Sequence, residues 1–121
     1  MGKMKHVGNQ PIMMTIDPEL EPVQIAKADH GKPRLTLVPM QILFDIAMVR
    51  EYGNMKYHDP DNWRNVEPER YREAAFRHFL RYIDDPYGKD DESGLKHLAH
   101  LACNIAFLCE MEKEDEPWVT N

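Results

Sequence analysis

Between positions 95 and 109 almost every residue is apolar: Leu95, Leu98, Leu101, Ala102, Ile105, Ala106, Phe107, Leu108 and Cys109. An apolar run of this length, with no proline in it, reads as a helix buried on most of its sides. Lys96 apart, the exceptions fall together. At about 100° per residue, His97, His100 and Asn104 share an arc of roughly 60°, flanked by Leu101 and Leu108. Two imidazoles and an amide therefore line one strip of a helix that could carry leucines there at no cost to helicity. Buried polar groups need partners, so three on one face point to a polar cavity. The plainer alternative is three core side chains bonded to neighbouring backbone.

This helix is expected to run from residue 94 to about 112, with Ser93 as its N-cap. Two more helices precede it. One should start at Pro39 and stop near Tyr52, where Gly53 and Asn54 are good terminators. Its apolar residues (Met40, Ile42, Leu43, Phe44, Ile46, Ala47, Met48, Val49) surround nearly the whole cylinder, so burial on most sides is expected here too. The other should run from Pro68 to about Ile83. Tyr71, Ala75, Phe76, Phe79, Leu80, Tyr82 and Ile83 form its apolar arc, and Glu69, Arg70, Glu73, Arg77 and Arg81 the charged one, with Glu73 and Arg77 at i,i+4. Upstream, Pro11, Pro18, Pro22 and Pro33 break any helix, leaving an extended arm with short strands around 12–16 and 34–38. The expected architecture is all-α: an arm over 1–31, a three-helix bundle domain over 32–112, and a solvated acidic tail over 113–121. Helices this apolar exceed what one short chain can cover, which predicts a homodimer or higher homo-oligomer.

The net charge of −6 argues against duplex nucleic acid as a partner, because duplex binding rests on a basic field. A small anionic ligand needs only a few local cations. No apolar run is long enough to span a bilayer, and MGKMKHVGNQ lacks the apolar stretch of a secretory signal, so no membrane partner and a cytoplasmic location are expected. Cys103 and Cys109 sit six residues apart on one helix, about 120° around the axis and roughly 9 Å along it, too far to bridge. Both are expected to be small core residues.

The candidate chemistry gathers around the polar strip. His78 borders the apolar arc of the second helix, and antiparallel packing would bring it to the strip. Asp90 and Glu92 precede the third helix; with His97 and His100 they offer mixed oxygen and nitrogen ligands for a divalent metal. The plain alternative is carboxylates favoured by the helix dipole. In the polar loop over 56–67, Lys56, Tyr57 and Trp63, together with Arg77, suit an anionic aromatic ligand: a base stacks on the indole and the cations neutralise phosphates. Arg77 could instead simply pair with Glu73, and Trp63 could cap the core. There is no Gly-rich phosphate loop and no GxSxG, and neither cysteine has a histidine partner on its own face of the helix.

The strings KPRLTLVP (32–39), REYGNMKY (50–57), Asn62-Trp63, Arg77-His78 and above all DESGLKHLAHLACNIAFL (91–108) resemble the phage-borne family named for the N-terminal part of dATP/dGTP diphosphohydrolases. The resemblance covers about residues 30–112. It implies a relation to the all-α MazG-like pyrophosphohydrolases, which cleave a nucleoside triphosphate between the α and β phosphates with magnesium held by carboxylates. By carry-over, Lys32, Lys56, Trp63, Arg77, His78, Glu92, His97, His100 and Asn104 are the motif positions. The chain departs from MazG-like enzymes in lacking any Glu-x-x-Glu, and its Glu-x-x-Asp (Glu112, Asp115) lies in the tail.

Hydrolysis of a purine (deoxy)nucleoside triphosphate to monophosphate and pyrophosphate is thus the leading expectation, in phage or prophage nucleotide metabolism inside a bacterial host. Glu92, His97 and His100 would act at a magnesium or manganese ion bound with Asp90. Lys32, Lys56, Trp63, Arg77, His78 and Asn104 would bind substrate. A phage protein that sequesters a nucleotide signal without turnover is the alternative from another class, and a structural or partner-binding helical module is a third.

Overall fold

The computed structural model describes residues 31–115, and the strand expected over 12–16 lies outside them. Three helices form the described part: α1 (Gln41–Tyr57), α2 (Pro68–Asp84) and α3 (His97–Met111). No strand occurs among the described residues, so the class is all-α. The strand expected over 34–38 is a single 3₁₀ turn, Leu35–Leu37, closed by the Leu37 and Val38 N–H groups on the carbonyls of Arg34 and Leu35. Clustering of the backbone separates Pro39–Lys113 as one compact unit, and it holds all three helices. None of these helices is long and apolar enough to cross a membrane.

Both α1 and α2 pack on α3. His78 of α2 meets His97, while Tyr71 meets Phe107, so α2 and α3 run antiparallel. Arg50 of α1 lies over Phe107 and Lys56 reaches Glu92, so α1 also opposes α3. Small residues set the closest packing: Ala75 on α2 and Ala99 and Cys103 on α3 are the buried apolar side chains. Where side chains are that short, helix axes approach closely and larger neighbours wrap around the seam.

Two boundaries differ from the sequence reading. Helix α1 does not stop at Gly53. It continues to Tyr57 and ends where His58 adopts a left-handed conformation (φ 60°) and its N–H bonds the Asn54 carbonyl. One glycine costs a helix only about 1 kcal/mol, a preference too small to fix a helix end by itself. Ser93 does not cap α3, which begins three residues after the expected start with Lys96 at the cap position. Its hydroxyl is instead engaged by the Leu95 N–H and by His100.

The expectation that α1 is buried on most sides also fails within the single chain. Ile42, Leu43, Phe44 and Met48 are exposed on α1, as are Phe76 (61%), Phe79, Leu80 and Ile83 (60%) on α2. The periodicity reports apolar faces; it does not say what covers them. Cys109 is likewise exposed, whereas Cys103 is buried.

Candidate functional site

The loop between α2 and α3 is held by its own backbone. The Asp90 N–H bonds Leu95 O (2.8 Å), the Gly94 N–H bonds Asp90 O (2.8 Å) and the His97 N–H bonds Gly88 O (3.0 Å). Gly94 turns the chain at φ +74°, a conformation that side chains disfavour. Within this frame the Asp90 carboxylate accepts the N–H groups of Glu92 (3.1 Å) and Ser93 (2.9 Å), both on Oδ2. Burial alone would raise its pKa. The Ser93 N–H, the His100 imidazole and the Glu92 N–H more than reverse that, holding the carboxyl below its ordinary range.

Three imidazoles meet beside it. His78 Nδ1 stands 2.9 Å from His97 Nδ1, and the His78 ring stacks on His100 with centroids 4.8 Å apart and planes 11° from parallel. His100 Nε2 is 2.6 Å from Ser93 Oγ. The same hydroxyl accepts the Leu95 N–H (3.1 Å), tying His100 to the loop before α3. Burial, then the neighbouring His100 and His97, push the His78 pKa down to about 4, so it stays neutral at physiological pH. Burial also lowers His100, against the opposing pull of Asp90. His97 (6% exposed) and Asn104 (9%) are buried, and Asn104 Nδ2 donates to the His100 carbonyl (3.0 Å).

A cavity of about 660 Å³ opens against this cluster. His78, Asp90, Glu92, His100 and Asn104 line its polar end. Trp63, Tyr57, Tyr71 and Phe107 supply aromatic surface, and Arg50, Lys56, Arg70 and Arg77 supply cations. Trp63 sits on the 3₁₀ turn Asn62–Asn65, whose carbonyl at Trp63 accepts the Tyr71 hydroxyl (2.8 Å). Its ring stacks on Phe107 (4.6 Å, 11°), with the Arg64 guanidinium 4.4 Å from its centroid. Lys56 Nζ pairs with Glu92 Oε2 (2.7 Å); that bond raises Lys56 and lowers Glu92, which Tyr52 also reaches.

Nearly all the sequence-derived candidates thus meet at one place. Lys32 lies on the segment before Pro39, outside the unit that holds the cavity. His97 is buried behind His78 and does not line the cavity. Arg50 and Arg70 were not among the candidates. Arg50 is a lone cation on the apolar stretch of α1, and Arg70 precedes Arg77 by seven residues, hence on the same helix face. Both signals were there to be read. The role of Ser93 as partner of His100 carried no such mark.

The family described as dATP/dGTP diphosphohydrolase, N-terminal, matches residues 23–120. The chain belongs to that family. A relative from Salmonella phage PMBT28, named dATP/dGTP diphosphohydrolase, is 35% identical over 82 residues, which is 68% of this chain and 28% of the relative. The chain therefore spans little more than a quarter of that relative's length. No solved structure matches. Within the diphosphohydrolase N-terminal family, this chain's most specific block, 92–104, supplies Glu92, His100 and Asn104 to the cavity wall and His97 to the cluster behind it. The carboxylate-held magnesium that the MazG-like resemblance implied does not fit the cluster, where one carboxylate meets imidazoles.

Proposed function

We propose that the chain binds a purine deoxynucleoside triphosphate in this cavity and hydrolyses it to the monophosphate and pyrophosphate. The observation that carries the reading is the gathering of Arg50, Lys56, Arg70 and Arg77 around one aromatic-walled cavity, on a chain whose net charge is −6. Guanidinium groups bind phosphate oxygens bidentately, and an aromatic wall suits a base. The family name and that of the phage relative point to the same substrate class.

In this reading a water attacks the α-phosphorus, the bond to the α–β bridging oxygen breaks, and pyrophosphate leaves on that oxygen. The arginines and Lys56 offset the charge on the phosphates. His100, neutral and at the cavity wall, accepts the water's proton. Asp90 and the imidazoles beside it would hold a divalent ion, which would supply polarisation of the phosphoryl oxygens. Glu92 keeps Lys56 in place.

The exposed apolar faces of α1 and α2 support self-association, with a second copy covering them. Light scattering should return a mass above that of one chain, and a monomer at micromolar concentration would remove this part of the reading.

Incubation with dATP, dGTP, dCTP and dTTP in the presence of Mg²⁺ or Mn²⁺, with detection of released pyrophosphate, tests the function. Release from the purine nucleotides is expected, and Arg77→Ala should raise KM. Purine nucleotide binding without pyrophosphate would instead make the chain a nucleotide-sequestering protein.

A further inference from the structure

His78 from α2, Asp90 from the intervening loop and His97 from the first turn of α3 each bring one ligand atom to within 4.8 Å of the others. We infer that these three side chains form a two-histidine, one-carboxylate site for a first-row transition-metal dication such as Mn²⁺, Fe²⁺, Co²⁺ or Zn²⁺. The inference rests on the hydrolytic reading for what the ion does, but not for whether it binds.

The first support is distance. Two imidazole nitrogens about 2.1 Å from one ion stand about 3.0 Å apart at right angles, and about 3.4 Å apart at the tetrahedral angle. The two Nδ1 atoms are 2.9 Å apart. The same distance is that of an N–H···N hydrogen bond, which satisfies the pair when no ion is bound.

The second is the way each ligand is held. Asp90 Oδ2 takes two backbone N–H groups, and Oδ1 accepts none among the described residues. His78 is fixed by the parallel ring of His100, itself fixed by Ser93. The His97 backbone is tied to Gly88. Outer partners of this kind orient metal ligands.

The third is donor chemistry. Magnesium takes oxygen ligands and dehydrates reluctantly, whereas imidazole nitrogen suits the later dications. His78 and Asp90 also line the cavity, so an ion held with buried His97 behind it faces the space proposed for the phosphates.

Titration calorimetry of the full chain, stripped with chelator and free of nucleotide, tests this with Mn²⁺, Co²⁺, Zn²⁺ and Mg²⁺ separately, alongside the visible spectrum of the Co²⁺ form. One ion per chain is expected, bound by Mn²⁺, Co²⁺ and Zn²⁺ far more tightly than by Mg²⁺, with a Co²⁺ band shifted by nitrogen ligation. His78→Gln and Asp90→Asn should each weaken binding at least about tenfold, the loss that even outer partners produce. His58→Asn, exposed at the end of α1, should change nothing. Should His78→Gln fail to fold by circular dichroism, Asp90→Asn and the wild-type Co²⁺ spectrum still decide. Binding no tighter than Mg²⁺, or unchanged in folded His78→Gln, overturns the site. Tight binding without pyrophosphate release upholds the site and removes the hydrolytic reading. Pyrophosphate release with Mg²⁺ alone, and no transition-metal binding, does the reverse.

Discussion

The two ends of the α2–α3 pair are built from the same antiparallel helices and behave oppositely. At one end the rings of Trp63, Tyr71 and Phe107 pack together, and the Tyr71 hydroxyl is satisfied by a carbonyl. At the other, His78, His97, His100 and Asp90 crowd together, and burial lowers His78 and His100 alike. Aromatic stacking returns free energy to the fold, while desolvated imidazoles draw on it. The contrast teaches where stability is made and where it is spent on a site. Substitutions at the first end should therefore cost stability together with the wall for a base, and those at the second should cost binding with little loss of stability.

The largest stability effect is expected for Phe107→Ala. Phe107 touches Trp63, Tyr71 and Arg50, joining the 3₁₀ turn, α2 and α1 to α3. Its loss should cost about 2–3 kcal/mol, below the full range for a wholly buried phenylalanine because the ring is half-buried. Denaturant unfolding measures it. A cost under about 1 kcal/mol would show that the aromatic end is not what holds the helices together.

Cys103, between the two ends, should produce the next effect, and only in alkali. Burial pushes its thiol from 9.0 up to about 11. In the unfolded chain the thiol ionises near pH 9, so above that the unfolded state binds fewer protons and stability falls as pH rises. The loss should approach about 2 kcal/mol by pH 11. Tyrosines titrate in the same window, so the quantity to measure is the difference in slope between the wild type and Cys103→Ala. Equal slopes would mean the thiol is not desolvated. Exposed Cys109 should alkylate in the native protein, and Cys103 only on unfolding.

A third effect has the opposite sign. Gly53 lies inside α1 and lines the cavity, and an added Cβ there would meet nothing within 4 Å. Gly53→Ala should thus stabilise the helix by about 0.5–1 kcal/mol while narrowing the space for a ligand. A raised melting temperature with a weakened nucleotide-induced shift is expected. Stabilisation with unchanged binding would place the ligand elsewhere in the cavity.

These positions also show how far the sequence could be read. Three helices, their apolar faces and the family were legible because periodicity and a specific block of motif carry them. The strip of His97, His100 and Asn104 was legible for the same angular reason. The extension of α1 past Gly53 was not, because one glycine is a weak local signal for a helix end. Nor was the work of Ser93. A serine just before an apolar helical run signals a cap, and only the self-bonded loop over 85–96 turns its hydroxyl towards His100 instead. Exposure of Ile42, Phe44 and Ile83 lay beyond the sequence too, since a pattern names a face without naming its cover.

The smallest stability effect, and the sharpest test of the contrast, belongs to His100→Leu. The imidazole gives the fold little. Its side-chain bond goes to a serine hydroxyl that keeps the Leu95 N–H and, being half-buried, can turn to water. The bond from Asn104 lands on the backbone carbonyl at position 100, which leucine retains. Against that small loss stands the replacement of a desolvated ring by an apolar side chain on an apolar helix. The melting temperature should hold or rise, while the thermal shift produced by a purine nucleotide, about 2.7 kcal/mol at a hundred times its dissociation constant, should largely vanish. If the polar end were structural instead, the substitution would strand its partners at about 1–3 kcal/mol per group and leave binding intact. A destabilised His100→Leu protein with a normal nucleotide response would therefore erase the distinction between the two ends, and with it the case for this strip as a site.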